Sequence, residues 1–286
     1  MLSNPVRIAL LIALVAGSTT GCRKFVSALS ANLVHFTDVS STLELTDDVS
    51  RLVVSNRLGD VTVLGEPEAT TIRVEVEVRL DEDRVATTEV GTFADHVRVT
   101  SDDGEIVIGD AHQGAADEKD WSLHMTVGLP PHLAVVVTTG VGDVEVRDIA
   151  GDLRITAGVG DIETEARGAG DITCTSGLGN VSVSAGTIDG PVTITAGKGD
   201  IALVIADSSP RHRVQLTAGK GNINATFPPG SPGTFEIESG LGSINTGPHS
   251  GITVTASKLS AEGSGTVGDG TAAYHIKAGA GSVTLH

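Results

Sequence analysis

Carboxylate side chains recur at one fixed place in this sequence, directly after a Gly-x-Gly phrase. Asp143, Asp161 and Asp200 follow such phrases, and Asp171 follows the related phrase Gly168-Ala169-Gly170. Stacked carboxylates could bind calcium, because Ca²⁺ takes about six to eight oxygen ligands, several of them from carboxylates. Uncharged side chains occupy the same position in other copies: Asn180, Asn222, Ser243 and Ser282. We therefore expect no metal site along the repeats and assign the aspartates to turn stabilisation, with calcium at Asp171 as the open alternative.

Catalytic chemistry has less support in the residue pattern. Enzymes that cleave polysaccharides use paired carboxylates in a groove, usually beside aromatic platforms. The repeats contain only Phe227, Phe235 and Tyr274 as aromatic residues, and the first two fall at inward positions or beside prolines. The nine histidines include no His-x-His or His-x-x-x-His pair. We predict a non-catalytic protein without a cofactor, and keep a β-solenoid enzyme acting on envelope polysaccharide as an alternative.

The N-terminus has the pattern of a targeting segment. Arg7 precedes the apolar run Ile8–Ala16, and a stretch of small residues follows it. The run is too short to span a bilayer as a helix and is typical of a signal peptide. The junction Gly21-Cys22 resembles the bacterial lipoprotein signal, which implies cleavage before Cys22 and lipidation of that cysteine. Simple secretion is the alternative, because Thr19 stands where that signal usually has Leu.

The other cysteine, Cys174, has a different setting. It follows Ile172 at a spacing of two in a predicted strand, so both side chains point toward the interior. We expect a buried free thiol that packs as a small hydrophobe. With Cys22 at the anchoring end, no disulfide framework is predicted.

The composition excludes one class of partner. The formal net charge is −17, whereas phosphate recognition needs clustered Lys and Arg, so we expect no nucleic acid ligand. The chain has 36 glycines among 286 residues and only 2% aromatic residues. Such a content suits many thin layers of aliphatic side chains rather than one large core.

A short phrase, strand–Gly-x-Gly–small polar residue–strand, repeats seven times in the second half of the chain. The Gly-x-Gly copies lie at 140–142, 158–160, 177–179, 197–199, 219–221, 240–242 and 279–281. The first six start 18 to 22 residues apart, which is the period of a solenoid coil. Apolar residues alternate with polar ones on both sides, as in Val192–Ala196 and Ile201–Ile205. We predict an all-β, parallel β-helix-like solenoid of about 20-residue coils, with a meander of hairpins as the alternative.

Four segments follow from these patterns: 1–21 as signal peptide, 22–42 as lipid anchor and tether, 43–128 as a β-rich N-terminal part, and 129–286 as the solenoid repeats. Leu58-Gly59-Asp60 is predicted to be a degenerate first copy of the turn. The acidic stretch that opens at Asp81 predicts one short helix. Gly263-Ser264-Gly265 is predicted to be an off-pattern corner.

The Pro130-Pro131 corner, the serial Gly-Asp phrases and the β-rich stretch from about Leu43 resemble the bacterial putative-adhesin family of β-strand-repeat proteins. The resemblance covers about Leu43 to His286 and implies an extracytoplasmic solenoid, often membrane-anchored, without an established catalytic residue. We therefore expect a binding, adhesion or scaffolding protein of the bacterial cell envelope. It would be held by lipid at the outer membrane, with an envelope protein or polysaccharide as its ligand. A calcium-dependent binding module is a further alternative.

Overall fold

The computed structural model describes residues 33–114, 121–168, 170–206, 212–228, 230–247, 249 and 251–286. The strands and helices up to residue 129 are β1 Leu33–Glu44, β2 Arg51–Leu58, β3 Val61–Gly65, β4 Thr71–Asp81, α1 Glu82–Val85, α2 Phe93–His96, β5 Val97–Asp102, β6 Glu105–Asp110 and β7 Trp121–Leu129. The first repeats contain β8 Ala134–Val141, β9 Val144–Ile149, β10 Leu153–Val159, β11 Ile162–Ala166, β12 Ile172–Leu178, β13 Val181–Ala185, β14 Val192–Lys198 and β15 Ile201–Ile205. The remaining strands are β16 Arg213–Lys220, β17 Ile223–Thr226, β18 Gly233–Leu241, β19 Ile244–Asn245, β20 Ile252–Ala256, β21 Ala261–Val267, β22 Ala272–Ala280 and β23 Val283–Leu285.

These strands form two long sheets that share one apolar core. One sheet has the order β1-β4-β7-β3-β9-β11-β13-β15-β17-β23-β19. The other has the order β20-β21-β18-β22-β16-β14-β12-β10-β8-β2-β6-β5. Each Gly-x-Gly phrase joins a strand of the second sheet to a strand of the first, so a coil consists of two strands and a corner. Neighbouring coils pair in parallel, which confirms the all-β solenoid and excludes the hairpin meander.

The core follows the predicted alternation of inward and outward residues. Ile155, Cys174, Ile194 and Leu216 occupy equivalent positions in four stacked coils, and each is fully buried. Cys174 is a free thiol, as expected. Burial raises the pKa of this thiol to about 12, so the thiolate that nucleophilic chemistry requires is strongly disfavoured. This layer therefore serves packing.

The coils do not stack in the order of the sequence. In the middle, β8/β9 through β16/β17 follow one another along the chain. The next coil in space is β22/β23, and β18/β19 lies beyond it, although β18/β19 comes first in sequence. At the other end, β2/β3 pairs with β8/β9 on one side and with β6 and β7 on the other. Both ends of the stack are thus rearranged.

Antiparallel strands close the two ends. β1 pairs with β4, and β4 pairs with β7. β5 pairs with β6 at the same end of the solenoid. At the opposite end, β20 and β21 form an antiparallel extension of β18.

Three expectations from the sequence are corrected by these elements. Residues 33–42 of the predicted tether belong to β1, because Val39, Ser41 and Leu43 alternate inward and β1 pairs with the long strand β4. Two four-residue helices replace the one short helix, and the second starts at its own cap, where the Thr92 N–H donates to the Asp95 carboxylate at 2.6 Å. Gly263-Ser264-Gly265 is not a corner: it lies inside β21, in register with β18.

Candidate binding surface

The middle residues of the Gly-x-Gly phrases lie in register from coil to coil. In spatial order they are Leu58, Val141, Val159, Leu178, Lys198, Lys220, Ala280 and Leu241. We call this row the corner stripe. The presence of Leu58 confirms that Leu58-Gly59-Asp60 is a degenerate copy of the turn. Because strands in a sheet lie about 4.8 Å apart, the stripe presents one side chain per coil at nearly constant spacing.

Glycine is required beside the stripe because neighbouring corners touch through their backbones. Gly199 has φ +152°, a region that side chains rarely adopt. A Cβ atom there would lie 2.5 Å from the carbonyl carbon of Gly179 and closer still to its oxygen. The close approach leaves the middle residue as the only residue of the Gly-x-Gly phrase with a side chain.

The polar residue after each phrase links its coil to the next. The Asp161 N–H donates to Asp143 Oδ1 at 2.8 Å, and the Asn180 N–H donates to Asp161 Oδ1 at 2.6 Å. The Asp200 N–H donates to Asn180 Oδ1 at 2.9 Å, and the Asn222 N–H donates to Asp200 Oδ1 at 2.6 Å. An amide oxygen therefore replaces a carboxylate oxygen without loss of the bond. This polar ladder gives the aspartates the turn-stabilising role predicted from the sequence.

The charged part of the ladder is under electrostatic strain. Burial raises the pKa of the Asp143 carboxyl, the Asp161 N–H that it accepts opposes this shift, and the carboxylates of Asp60 and Asp161 add to it. The three aspartates repel one another while each serves as a hydrogen-bond acceptor. The backbone hydrogen bonds thus hold these carboxylates close together despite their mutual repulsion.

Asp171 stands apart from this ladder. Its N–H donates to Asp152 Oδ1 at 2.9 Å, which links a different pair of coil segments. In the ranges that the structure describes, no group of three or more His, Cys, Asp and Glu side chains is placed to hold a metal ion. Among the described residues, Asp171 therefore has no neighbouring side chains that would complete a calcium site.

A Ser–His–Asp constellation at the end of the ladder escaped the sequence analysis. His124 Nδ1 lies 3.1 Å from Asp60 Oδ2, and His124 Nε2 lies 3.3 Å from Ser122 Oγ. The distances resemble those of a hydrolytic triad, in which the serine hydroxyl gives its proton to the imidazole. Here, however, the Ser122 hydroxyl donates to the Leu58 carbonyl at 3.2 Å, and Ser122 is only 4% exposed.

The hydrogen bonds around His124 explain why it is there. Asp60 is the first member of the ladder, so no ladder residue precedes it, and its N–H donates instead to His124 Nδ1 at 3.3 Å. His124 Nδ1 thus contacts both the N–H and the carboxylate of Asp60, and the ring tautomer determines whether it accepts from the first or donates to the second. The constellation terminates the ladder and has no accessible nucleophile. Because 64 positions separate Asp60 from His124, only Ser-x-His on one strand face could have signalled it.

The corner stripe exposes apolar side chains that a structural role does not require. Leu178 is 51% exposed, Leu241 56% and Val159 39%, whereas Leu58 at the covered end is 6% exposed. Around the middle of the stripe the surface forms a shallow concavity of about 530 Å³, lined by Leu178, Gly179, Asn180, Lys198, Gly199, Lys220, Gly221, Asn222 and Ala280. None of these lining residues is acidic.

The N-terminal end contains a second cluster, formed by ring side chains. His96 Nδ1 lies 3.1 Å from His112 Nε2, and the His112 ring stacks on Trp121 with ring centroids 4.1 Å apart. Burial and, to a smaller extent, the neighbouring His112 lower the pKa of His96 to about 4, and Asp95 opposes the shift. His96 is therefore neutral at neutral pH, and the cluster packs as part of the solenoid cap.

The predicted lipidation site, Cys22, lies outside the described residues, as do the predicted signal peptide and most of the tether. Within the described residues, no helix combines the length and apolar character needed to cross a membrane. The aromatic residues of the repeats are buried: Phe235 and Tyr274 stack with ring centroids 4.2 Å apart, and Phe227 packs against Tyr274. None of these three rings forms a sugar-binding platform on the surface.

Comparison with solved structures shows likeness over most of the chain at low sequence identity. A putative cell adhesion protein from Clostridium sporogenes is 11% identical, with a TM-score of 0.40, and the match covers 87% of this chain and 98% of that one. A putative adhesin from Bacteroides fragilis is 12% identical, with a TM-score of 0.40 and coverage of 87% and 97%. A putative lipid binding protein from Parabacteroides distasonis is 12% identical, with a TM-score of 0.27 and coverage of 87% and 96%.

No curated protein sequence matches the chain. The model of one protein family, described as Toastrack DUF4097, matches residues 42–258. This match spans most of the N-terminal part and most of the repeats, and it confirms the repeat family expected from the Gly-Asp phrases. The chain belongs to the Toastrack DUF4097 family.

Proposed function

We propose that this protein is a non-catalytic binding or scaffolding protein of the bacterial cell envelope, anchored by lipid at Cys22, and that the corner stripe binds its ligand. One observation carries the proposal: Leu178 and Leu241 are more than half exposed on a corner whose geometry is fixed by backbone contacts. Side chains held on a rigid scaffold lose little conformational entropy on binding. An envelope protein or polysaccharide is the ligand class.

The stripe suits an extended ligand better than a compact one. Its concavity is shallow and open, and the residues that line it come from four successive coils in space, β12, β14, β16 and β22 with the turns after them. A ligand chain that runs along the solenoid would contact one side chain per coil. Such repeated weak contacts add up over the length of the ligand.

Anchoring rests on the apolar run that ends at Gly21-Cys22. Arg23 and Lys24 follow the cysteine, and no Asp stands there to direct inner-membrane retention, so the outer membrane is the proposed site. Two acyl chains on one cysteine would give stable membrane attachment, whereas one chain gives only marginal binding. Mass spectrometry of the native N-terminal peptide tests the anchor: we expect acylated Cys22, and an unmodified N-terminus elsewhere would leave simple secretion.

Binding to the envelope tests the function. Residues 23–286 would be immobilised and challenged with envelope fractions, with Leu178→Ser as the test variant and Val204→Ser as its control. Val204 is 43% exposed on the outer face of β15, away from the corner stripe. We expect Leu178→Ser to weaken retention of the fraction and Val204→Ser to leave it unchanged.

The same assay separates the alternatives. Loss of retention on calcium chelation would favour the calcium-dependent module. Turnover of an envelope glycan that disappears on carboxylate substitution would favour the enzyme. Equal retention of the envelope fraction by both variants and the parent chain would show that the corner stripe is not the binding surface.

A further inference from the structure

We infer that the ligand of the corner stripe is an acidic polysaccharide, bound through Lys198 and Lys220; this inference rests on the proposed binding role of the stripe and names its ligand class. The two lysines are the cationic members of the stripe and lie in adjacent coils, β14 and β16, in direct register. Their backbones are therefore about 4.8 Å apart. They project from the corner beside the concavity.

These lysines lack the acidic partners that several other exposed cations have. Lys277 lies 2.6 Å from a Glu238 oxygen, and Arg73 lies 2.6 Å from a Glu66 oxygen. In the described part of the chain, neither Lys198 nor Lys220 forms an ion pair. Like charges placed directly opposite each other in a sheet are destabilising. A counter-charge from outside the chain would therefore stabilise these two unpaired cations in register.

The ladder carries fewer acidic groups beside the lysines than at its N-terminal end. It is acidic at Asp60, Asp143 and Asp161, whereas beside the lysines it retains one carboxylate, Asp200, between Asn180 and Asn222. The asparagines keep the hydrogen bond that holds the turn, as their Oδ1 distances show. The loss of charge therefore keeps the hydrogen bond of the turn and makes the surface potential less negative here.

The result is a patch with two lysines and one neighbouring carboxylate, Asp200, on a strongly acidic protein. The chain carries a formal net charge of −17, yet the concavity is lined by two lysines and no acidic residue. A patch of this kind attracts anions at short range while the rest of the surface repels them. This contrast restricts anionic ligands to the middle of the stripe.

The surroundings of the lysines favour a polysaccharide over a compact anion. The site is shallow and continues along the stripe, so it offers little enclosure to a small phosphate compound. The exposed amides of Asn180 and Asn222 can hydrogen-bond to sugar hydroxyls, and Leu178 and Ala280 provide apolar contact at either side. A glycan with a repeated carboxylate or phosphate matches this combination of cations, amides and apolar groups.

The test uses residues 23–286 and polygalacturonate as the carboxylate-bearing probe, teichoic acid as the phosphate-bearing one, dextran as the neutral glycan and phosphatidylglycerol vesicles as anionic lipid. The test variant is Lys198→Gln with Lys220→Gln. Its control is Lys258→Gln with Lys277→Gln, which changes the net charge equally away from the concavity. Since an exposed ion pair contributes up to about 1 kcal/mol, we expect binding of an acidic glycan to weaken about 5- to 30-fold in the test variant only. Raising the salt concentration should weaken the parent chain more than the test variant.

The comparison of the two acidic glycans identifies the bound group, since preference for either one supports the inference and names carboxylate or phosphate. Equal binding of dextran, equal loss in both lysine double variants, or binding of the vesicles alone would overturn it. Retention of envelope fractions on the immobilised protein separates this inference from the proposed binding role of the stripe. Retention lost in Leu178→Ser but intact in the Lys198/Lys220 variant would leave a binding stripe whose ligand is not anionic. Retention intact in both would refute the stripe itself.

Discussion

Replacement of Gly199 by Ala tests whether backbone contact between corners holds the solenoid together. Gly199 has φ +152°, and a methyl group there would lie 2.5 Å from the carbonyl carbon and 3.0 Å from the next amide nitrogen of the neighbouring coil. The backbone strain costs about 1–3 kcal/mol. Separation of the two corners to relieve the clash costs another 1–3 kcal/mol or so. We therefore expect Gly199→Ala to lower the free energy of unfolding by about 2–6 kcal/mol.

The control is Gly186→Ala, because a Cβ atom at Gly186 would meet only the Arg167 carbonyl oxygen, at 3.9 Å. We expect this change to alter stability by less than about 1 kcal/mol. Urea unfolding followed by circular dichroism compares the two variants. With an m-value of about 3 kcal/mol per molar, the Gly199→Ala midpoint should fall by roughly 0.7–2 M. Equal midpoints for the two variants would refute the argument that the corners are in obligatory backbone contact.

Three further predictions follow from the core, the ladder and the cap. Ile194→Ala should lower the free energy of unfolding by about 2–4 kcal/mol, because it leaves a cavity at a fully buried position, and urea unfolding measures this. Asp143→Asn should stabilise the protein by a few tenths of a kcal/mol at pH 7 and not at pH 3. The raised pKa of Asp143 means that its ionised form is disfavoured in the fold. The free energy of unfolding therefore decreases as the pH rises through the pKa of the folded state, and the uncharged amide side chain of the variant avoids this decrease. Because the pKa of His96 is lowered to about 4, the stabilisation by its neutral form should be complete above about pH 6.5 and lost as the pH falls toward 4. Fluorescence of the single tryptophan, which stacks on His112, should report this pH-dependent loss, and the loss should be absent in His96→Gln.

The repeated part of the fold could be predicted because the sequence of each coil determines its own corner and its own inward-facing residues. The Gly-x-Gly phrase fixes the corner, and the alternation around it fixes which residues point inward, as the buried Cys174 shows. Stacking then follows, since equivalent residues must lie in register. The turn role of the aspartates could be predicted for the same reason: the geometry is local.

The ends of the solenoid could not be predicted because their pairing is not local. β1 was expected to be a tether, since its alternation is weak and its partner β4 begins 27 residues after the end of β1. The position of β22/β23 was not foreseen, because its glycine phrase is equivalent to the others and identifies no neighbour. Its neighbours are selected by bulky groups: Tyr274 stacks on Phe235 and fills the space that a side chain on Gly233 would need.

The candidate site was only partly foreseen. The sequence showed the glycine phrases, but the stacking of Lys198 on Lys220 depends on the register between coils. The hydrogen bonds of His124 to Asp60 and Ser122 join distant positions and had no local signal beyond Ser-x-His.

The placement of β22 and β23 has a consequence for how the chain must be assembled as it is made. The Ser282 N–H bonds to Asn222 across 60 positions of sequence, and β18/β19 rests on the opposite side of the same coil. While residues 272–285 are still being synthesised, β16 and β17 have no neighbour on their outer side and β18 and β19 have nothing to rest on. The coils up to β16/β17 can be completed as they emerge, whereas β18/β19 can join the stack only after β22/β23 has been made. Assembly of the solenoid is therefore sequential through its middle coils, and it ends when β22/β23 takes its place between β16/β17 and β18/β19.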